Sequence, residues 1–303
     1  MAGIMRRLRS IIQPATISIA LEGENGKHRI KRASDGEDEV LLPLIDGREP
    51  LRGTITIQTA SGQRIDHKGI TCEFIGQIEL FGEKQQKNNF VSVLNQLEDV
   101  GAIQGEQTYR FDFSQIRKQY ETYYGTNVRL RYYIIVKIAR SVMANIIHEQ
   151  EIVVRLLEKE PQENKNIRME VGVKGSLHIE FVYSRSKYHL SDVIIGKITF
   201  VECRLKVKYM EIAILKKETT YVEGQSYTDS DNLMKFEVMD GAPVKGEVIP
   251  IRMYIKNLDL TPTFPLTDST FQVKYLLNIV IFDEEDRRYF KQQEITLWRK
   301  TLV

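Results

Sequence analysis

The sequence predicts an all-β protein built from two β-sandwich domains in tandem. Most of its regular segments are short, rich in Val, Ile, Tyr and Phe, and bounded by Gly, Asn, Asp or Pro. Strand follows strand with little helix between, which favours antiparallel sandwiches over alternating strands and helices. A chain of 303 residues also has the length expected of about two domains.

An internal repeat supports the tandem arrangement. GTITI at Gly53 is similar to GKITF at Gly196, and LRYYIIVKI around Tyr132 is similar to VKYLLNIVI around Tyr275. Both pairs are 143 residues apart (196 − 53 and 275 − 132). The same order at the same separation indicates one sandwich plan used twice. The charged segment LEKEPQENKNIR, residues 157–168, shows no periodicity, so we place the domains at 1–160 and 161–303.

One segment departs from the strand pattern. In NNFVSVLNQLEDVG the apolar residues recur at helical spacing, Asn88 or Asn89 can cap a start, and Gly101 stands at the stop. We therefore expect one short amphipathic helix, packed on a sheet of the N-terminal domain.

Composition narrows the function classes. The 43 basic and 41 acidic residues nearly cancel, which disfavours a nucleic-acid binder that acts through a strong net field. No apolar stretch is long enough to cross a bilayer, so we expect a soluble cytosolic protein. Cys72 and Cys203 lie in strand-like runs and are expected to be buried free thiols. The basic run Met5–Arg9 is compatible with a disordered tail, which we favour, or with contact to an anionic lipid surface.

The residues of an enzyme active site do not come together in the sequence. No two of the five histidines have metal-ligand spacing, and there is no phosphate-binding glycine loop and no nucleophile elbow. The acidic run Asp283–Asp286 lacks the ligand pattern of a calcium loop and is interpreted as a solvated hairpin turn. His178 alternates with apolar neighbours and is interpreted as a strand-surface histidine. We therefore expect no catalytic residue, no metal and no cofactor.

Two apolar side chains are expected on the surface. Strict alternation pairs Phe236 with Val238 and Glu237 with Met239, which places Met239 on the polar face beside a loop. In RRYFKQQEITLWRK it places Phe290 outward among polar neighbours. Scattered surface apolar residues and bulges that reverse the alternation are the structural alternative. The functional interpretation is that both are anchors for other proteins.

These stretches are similar to a known family. EFIGQIELF (73–81), NVRLRYY (127–133), RMEVGV (168–173), KYHLSDVIIGKI (187–198), VMDGAPVKGE (238–247) and DEEDRRYFKQQEITLWRK (283–300) resemble the vacuolar protein sorting 26 family, the arrestin-like subunit of retromer. The resemblance runs nearly end to end. It implies two arrestin-like β-sandwiches, no enzymatic activity and no cofactor.

The resemblance also implies partners and positions. The loop Val238, Met239, Asp240 and Gly241 would bind the large α-solenoid subunit of retromer, with a helix of that subunit over Met239. Val171 and Phe290 would bind the cytosolic tails of membrane cargo, added as a strand to an open sheet edge with the help of a phox-domain sorting nexin. The protein would be cytoplasmic and peripheral on the cytosolic face of endosomes, in retrieval of cargo to the Golgi or the plasma membrane.

Two other functions remain as alternatives. An arrestin-type adaptor that binds phosphorylated receptor tails would need a concentrated cationic groove on the N-terminal domain, whereas the basic residues are dispersed among acids. A hydrolase or metalloenzyme on a β-sandwich would need a constellation of catalytic or ligand residues. Neither pattern stands in the sequence.

Overall fold

A computed structural model describes residues 14–22, 29–32, 40–82 and 85–300, with side chains for all of these except residues 29–32 and 40. The basic run Met5–Arg9 lies outside the described residues. The contacts divide the chain into two compact units, β1–β12 and β13–β22. Within the described ranges there is no helix with the length and apolar character needed to span a bilayer.

The first unit contains three sheets. Its strands are β1 (Ala15–Leu21), β2 (Arg29–Arg32), β3 (Val40–Asp46), β4 (Arg52–Thr59), β5 (Arg64–His67), β6 (Gly69–Leu80), β7 (Gln86–Glu98), β8 (Gly101–Gln104), β9 (Glu106–Asp112), β10 (Tyr123–Tyr124), β11 (Val128–Ala139) and β12 (Ile146–Arg155). The small sheet has the order β1-β4-β9, the large sheet has the order β2-β3-β12-β11-β6-β7 with β10 beside β11, and β5 pairs with β8.

The second unit repeats the plan. Its strands are β13 (Ile167–Val173), β14 (Leu177–Tyr183), β15 (Lys187–His189), β16 (Val193–Cys203), β17 (Val207–Val222), β18 (Gln225–Asp240), β19 (Val248–Tyr254), β20 (Phe264–Thr267), β21 (Phe271–Asp283) and β22 (Arg288–Trp298). One sheet has the order β13-β14-β16-β19, and the other has the order β15-β22-β21-β17-β18 with β20 beside β21. In the first unit β12, which follows β11, also pairs in parallel with β3. In the second unit β22, which follows β21, pairs in parallel with β15 in the same way.

Alternation of side chains explains the two-layer construction. Along β1 and β14 every second residue is buried, because successive side chains of a strand point to opposite faces. In the first unit the ring of Phe113, just after β9, lies 5.8 Å from Phe74 of β6 and 5.6 Å from Phe111 of β9. The all-β class and the two sandwiches in tandem are therefore confirmed.

The predicted helix is wrong, because its residues form β7. This strand pairs with β6 along its whole length, and its register contains two bulges in which Phe90 and Leu97 are the extra residues. Each bulge shifts the alternation by one residue, so apolar residues of a strand acquire a spacing close to the helical one. Phe90 packs edge-on against Tyr132 with ring centroids 5.5 Å apart, while Leu94 and Val93 are exposed.

The repeated residues of the sequence occupy equivalent strands. Tyr132 and Tyr275 are fully buried on β11 and β21, the strands between β6 and β12 and between β17 and β22. The Tyr132 hydroxyl donates to the Tyr120 carbonyl at 2.9 Å and accepts from the Tyr120 amide at 3.2 Å. The Tyr275 hydroxyl lies 2.9 Å from the Thr261 hydroxyl and accepts from the Thr261 amide at 3.1 Å. Each sandwich thus ties an incoming loop to its central strand through one buried phenol.

The two cysteines differ in burial. Cys72 is fully buried on β6, and burial raises the pKa of its thiol to about 12. Cys203 is half-buried at the end of β16. Both are free thiols, as expected, but the predicted burial holds for Cys72 alone, because Cys203 lies at the end of its strand.

We expect Tyr275→Phe to lower the free energy of unfolding of the second unit by about 1–2 kcal/mol, since the Thr261 amide would lose its buried acceptor. The measurement is urea denaturation followed by far-UV circular dichroism. Tyr227→Phe is the matched control, because Tyr227 is 55% exposed and its hydroxyl donates to the side chain of the nearby Gln225. Equal unfolding curves for the two variants would contradict the role given to the buried phenol.

Candidate partner-binding site

The sequence predicts a partner loop at residues 238–241, but Val238, Met239 and Asp240 are the last residues of β18, and only Gly241 follows the strand. β18 is an end strand of its sheet among the described strands. β18 pairs with β17, and the register passes from Glu211–Glu237 to Met210–Met239. Val238 is therefore the extra residue of a β-bulge. Directly paired residues lie on one face of a sheet, so Met239 lies on the face of Met210, which is fully buried.

This register corrects the prediction for Met239. Phe236 pairs with Ile212, which is on the same face of β17 as Met210, so Phe236 and Met239 share one face. The prediction that Met239 shares a face with Glu237 rested on unbroken alternation, which the bulge at Val238 interrupts. Val238 and Met239 are both half-buried, so part of each side chain remains accessible at the end of the sheet.

The turn after β18 has a defined backbone. Asp240 is exposed, and Gly241 has a φ of 96°, a left-handed conformation that glycine adopts without steric penalty. The Gly241 amide donates to the Lys208 carbonyl at 2.7 Å, which ties the turn back to the strand beside it. Val244 projects from the loop that follows and is 68% exposed. Apolar groups are thus held at the surface by ordered backbone.

Phe290 points outward, as predicted, and is 64% exposed. It lies on β22 directly opposite Val280 of β21. A groove of about 400 Å³ runs over the same face and is lined by its strand neighbours Arg288 and Gln292, by Val280, and by Asn278. The rest of its lining comes from β17 and β18 and is mostly polar or charged, so Phe290 is the exposed apolar group next to a largely polar groove.

Open backbone edges accompany Phe290. From Arg288 to Glu294, β21 is the only hydrogen-bonded neighbour of β22 among the described strands, because β15 pairs only with Thr296–Trp298. β13 is likewise an end strand, and it lies in contact with β22. Unpaired strand edges are templates for the addition of an extended peptide.

Val171, the other residue predicted to bind cargo, is only 8% exposed. It lies on β13 opposite Ile179, within the core of the second unit. Its side chain therefore supports the edge strand from inside. The part of β13 at this point that is open to a peptide is the backbone.

Asp283 holds the hairpin that leads to Phe290. Its side chain is 2% exposed and accepts hydrogen bonds from the Arg287 guanidinium at 2.7 Å, the Tyr289 hydroxyl at 3.1 Å and the amides of Glu285 and Arg287. Burial by itself raises the pKa of this carboxyl, but the hydrogen bonds outweigh burial and the pKa is lowered. The acidic run is a hairpin turn, as predicted, and Glu284, Glu285 and Asp286 are exposed; Asp283 is the exception, because its carboxylate is buried and organises the turn. An aspartate that ends a strand and opens a turn is the signal for this arrangement, because its side chain favours hydrogen bonds to the backbone of the residues that follow.

One cluster of basic residues on the described part of the first unit is paired with acids. The nearly buried Glu79 contacts Lys87 at 3.0 Å, Arg131 at 3.2 Å and Arg129 at 3.6 Å. Arg131 also contacts Glu149 at 2.7 Å. Burial disfavours the charged form of Arg131, but Glu149 and the other carboxylates outweigh it and raise its pKa. These three cations are paired with carboxylates, so this cluster does not form the concentrated cationic groove that the receptor-tail alternative needs.

The fold defines a class of protein: a tandem β-sandwich of arrestin-like construction, with apolar groups and open strand edges on its surface. The family model described as vacuolar protein sorting-associated protein 26 matches residues 11–286. The chain is 46% identical over 289 residues to vacuolar protein sorting-associated protein 26 of Dictyostelium discoideum. The aligned region covers 95% of this chain and 82% of that protein.

Vertebrate proteins are similar to the same extent. The identity is 45% to vacuolar protein sorting-associated protein 26B-A of Xenopus laevis, over 94% of this chain and 85% of that protein. It is 44% to vacuolar protein sorting-associated protein 26B of Mus musculus, over 95% and 86%. The chain belongs to the vacuolar protein sorting-associated protein 26 family, and this membership supports a role in vacuolar protein sorting as a subunit of retromer.

We expect Asp283→Asn to lower the thermal midpoint of the second unit by several degrees at pH 7. Because the pKa of Asp283 is lowered in the folded protein, its carboxylate stabilises the fold at every pH above 3.8, the ordinary pKa of the group. This stabilisation is lost as the pH falls through the pKa of the folded state. The difference between wild type and variant should therefore shrink below about pH 4. The measurement is thermal unfolding across pH 3–7.

Glu284→Gln is the matched control for this prediction, because Glu284 is exposed and has only the exposed Lys206 as its partner at 3.4 Å. Its midpoint should follow that of the wild type at every pH. A difference between Asp283→Asn and wild type that persists unchanged at pH 3 would contradict the assigned ionisation.

Proposed function

We propose that this protein is a non-enzymatic adaptor subunit of retromer that links a large α-solenoid subunit to the cytosolic tails of membrane cargo. Phox-domain sorting nexins are its further partners, and the cytosolic face of endosomes is its place of action. The observation that carries the proposal is the 64% exposed Phe290 beside an open stretch of β22. Membership of a protein-sorting family agrees with this role.

The turn after β18 is the proposed surface for the large subunit. Val238 and Met239 offer adaptable apolar area at the end of the sheet, while Asp240 and Gly241 form an ordered exposed turn. Methionine adjusts to irregular partner surfaces, and central apolar anchors carry most of the energy of an interface. Both side chains are only half-buried within this protein, and a helix of the large subunit would cover the parts that remain exposed.

The edges near Phe290 are the proposed surface for cargo. A peptide that adds to the open part of β22 or to β13 gains backbone hydrogen bonds, and Phe290 with the adjoining groove reads one or two of its side chains. Val171 contributes by holding β13 in place from the core. A short peptide gives up conformational freedom on binding, so useful retention of cargo depends on many copies on one membrane.

We expect Met239→Asp to weaken binding to the large subunit at least about thirtyfold, because a charge would replace an apolar anchor worth about 2 kcal/mol. The measurement is isothermal titration calorimetry with the purified large subunit. Tyr227→Asp is the matched control, since Tyr227 is an exposed apolar residue on the same strand β18, at its other end.

Met239 is half-buried against Met210, so unfolding must be separated from lost contact. Circular dichroism and thermal midpoints identify folded variants, and Val238→Asp, at the bulge, is the second substitution. Two folded variants that bind the large subunit as tightly as wild type would contradict this surface.

We expect Phe290→Asp to reduce cargo-peptide binding at least about tenfold in the presence of the large subunit and a sorting nexin, with binding to the large subunit unchanged. Fluorescence anisotropy of a labelled cargo tail measures it. Leu266→Asp is the control, because Leu266 is an exposed apolar residue on β20 of the same sheet. Unchanged peptide affinity would exclude Phe290, and binding only to phosphorylated tails with loss in high salt would favour the receptor-tail adaptor instead.

A further inference from the structure

Three potential metal ligands meet on the outer face of the hairpin formed by β13 and β14. Glu170 of β13 is directly paired with Glu180 of β14, and His178 lies two residues before Glu180 on the same face of that strand. One nitrogen of His178 and one oxygen of each carboxylate all lie within 4.8 Å of one another. Histidine spacing along the chain could not reveal this set, because strand pairing brings its members together.

The His178 side chain is 39% exposed as a whole, but its Nε2 atom has no hydrogen-bond partner among the described residues. Nε2 of His178 is shielded from solvent and lies 3.5 Å from Oε2 of Glu170. A buried polar atom without a partner is destabilising, and like charges directly opposite each other on paired strands repel. One cation between the three groups removes both defects.

The surroundings leave room for such a cation. Gly172 is the residue paired with His178, so no side chain from β13 stands over the imidazole. Glu202 of β16 is also paired with His178, but its carboxylate contacts Arg204 at 3.0 Å. No side chain of β13 therefore occupies the space over the imidazole, and the Glu202 carboxylate is engaged by Arg204.

The donor set fits zinc. One imidazole and two carboxylates are ligands of Zn²⁺, and sites with three protein ligands keep a fourth position for water or another ligand. Bonds of about 2.0–2.1 Å in a tetrahedron place two ligand atoms about 3.3–3.4 Å apart. The 3.5 Å between His178 and Glu170 is already close to that separation.

We propose that Glu170, His178 and Glu180 bind one divalent transition-metal ion, best matched by Zn²⁺. The ion would take ligands from both strands and so fasten β13, an end strand of its sheet, to β14. The fourth position of the metal is available to water or to a side chain of a partner. This site is argued from its ligands alone and does not depend on the proposed function.

The test is calorimetric titration of the full, untagged chain with zinc chloride. We expect one zinc per chain, with binding weakened at least tenfold in His178→Ala and in Glu180→Gln, whereas His148→Ala retains it. His148 is a half-buried strand histidine of the first unit and is the matched control. All three variants are compared with wild type in a Cys203→Ser background, which removes the half-buried thiol as a competing ligand.

A second measurement reads the clamp directly. Zinc should slow amide hydrogen exchange in β13 of the wild type and leave exchange in His178→Ala and Glu180→Gln unchanged. Magnesium chloride should have no effect, because imidazole selects transition metals over Mg²⁺. Absence of zinc binding at about 100 μM metal, equal loss in His148→Ala, or slowed exchange in both site variants would overturn the proposal.

Discussion

The two-residue period of side chains along paired strands is the constraint on which the rest of this structure depends. Because β11 and β21 are each held between two antiparallel neighbours, their alternate residues are committed to the core or to the outer face. Tyr132 and Tyr275 are committed inward, and each then fixes an incoming loop by hydrogen bonds to its backbone. Burial of one face of these central strands follows from that assignment.

Bulges are the local exceptions to this period, and the end strands β7 and β18 of the two large sheets each carry two. Phe90 and Leu97 are the extra residues in β7, and Leu233 and Val238 are those in β18. A bulge twists an end strand and interrupts the regular edge that other chains could pair with. In β18 the same irregularity turns Met239 toward the Met210 face beside an ordered turn. The bulge at Val238 therefore protects the edge of β18 and also forms the proposed contact surface for the large subunit.

The proposed surfaces of the second unit use different features of its two sheets. The turn after β18 uses the end of a bulged strand, whereas Phe290 is exposed by regular alternation on β22 and is positioned by a hairpin built on the buried Asp283. The cluster of Glu170, His178 and Glu180 uses cross-strand pairing on the other sheet. Contact between β13 and β22 brings the edges of both sheets into one region of this unit.

The sequence by itself determined the all-β class, the duplicated plan and the outward position of Phe290, because alternation within a strand is a local property. The structure alone decided that NNFVSVLNQLEDVG is a strand, that Met239 shares a face with Phe236, and that Asp283 is buried. It alone brought Glu170 to His178 and Glu180. Bulges and pairing registers depend on residues distant in the chain, so no local pattern could predict them.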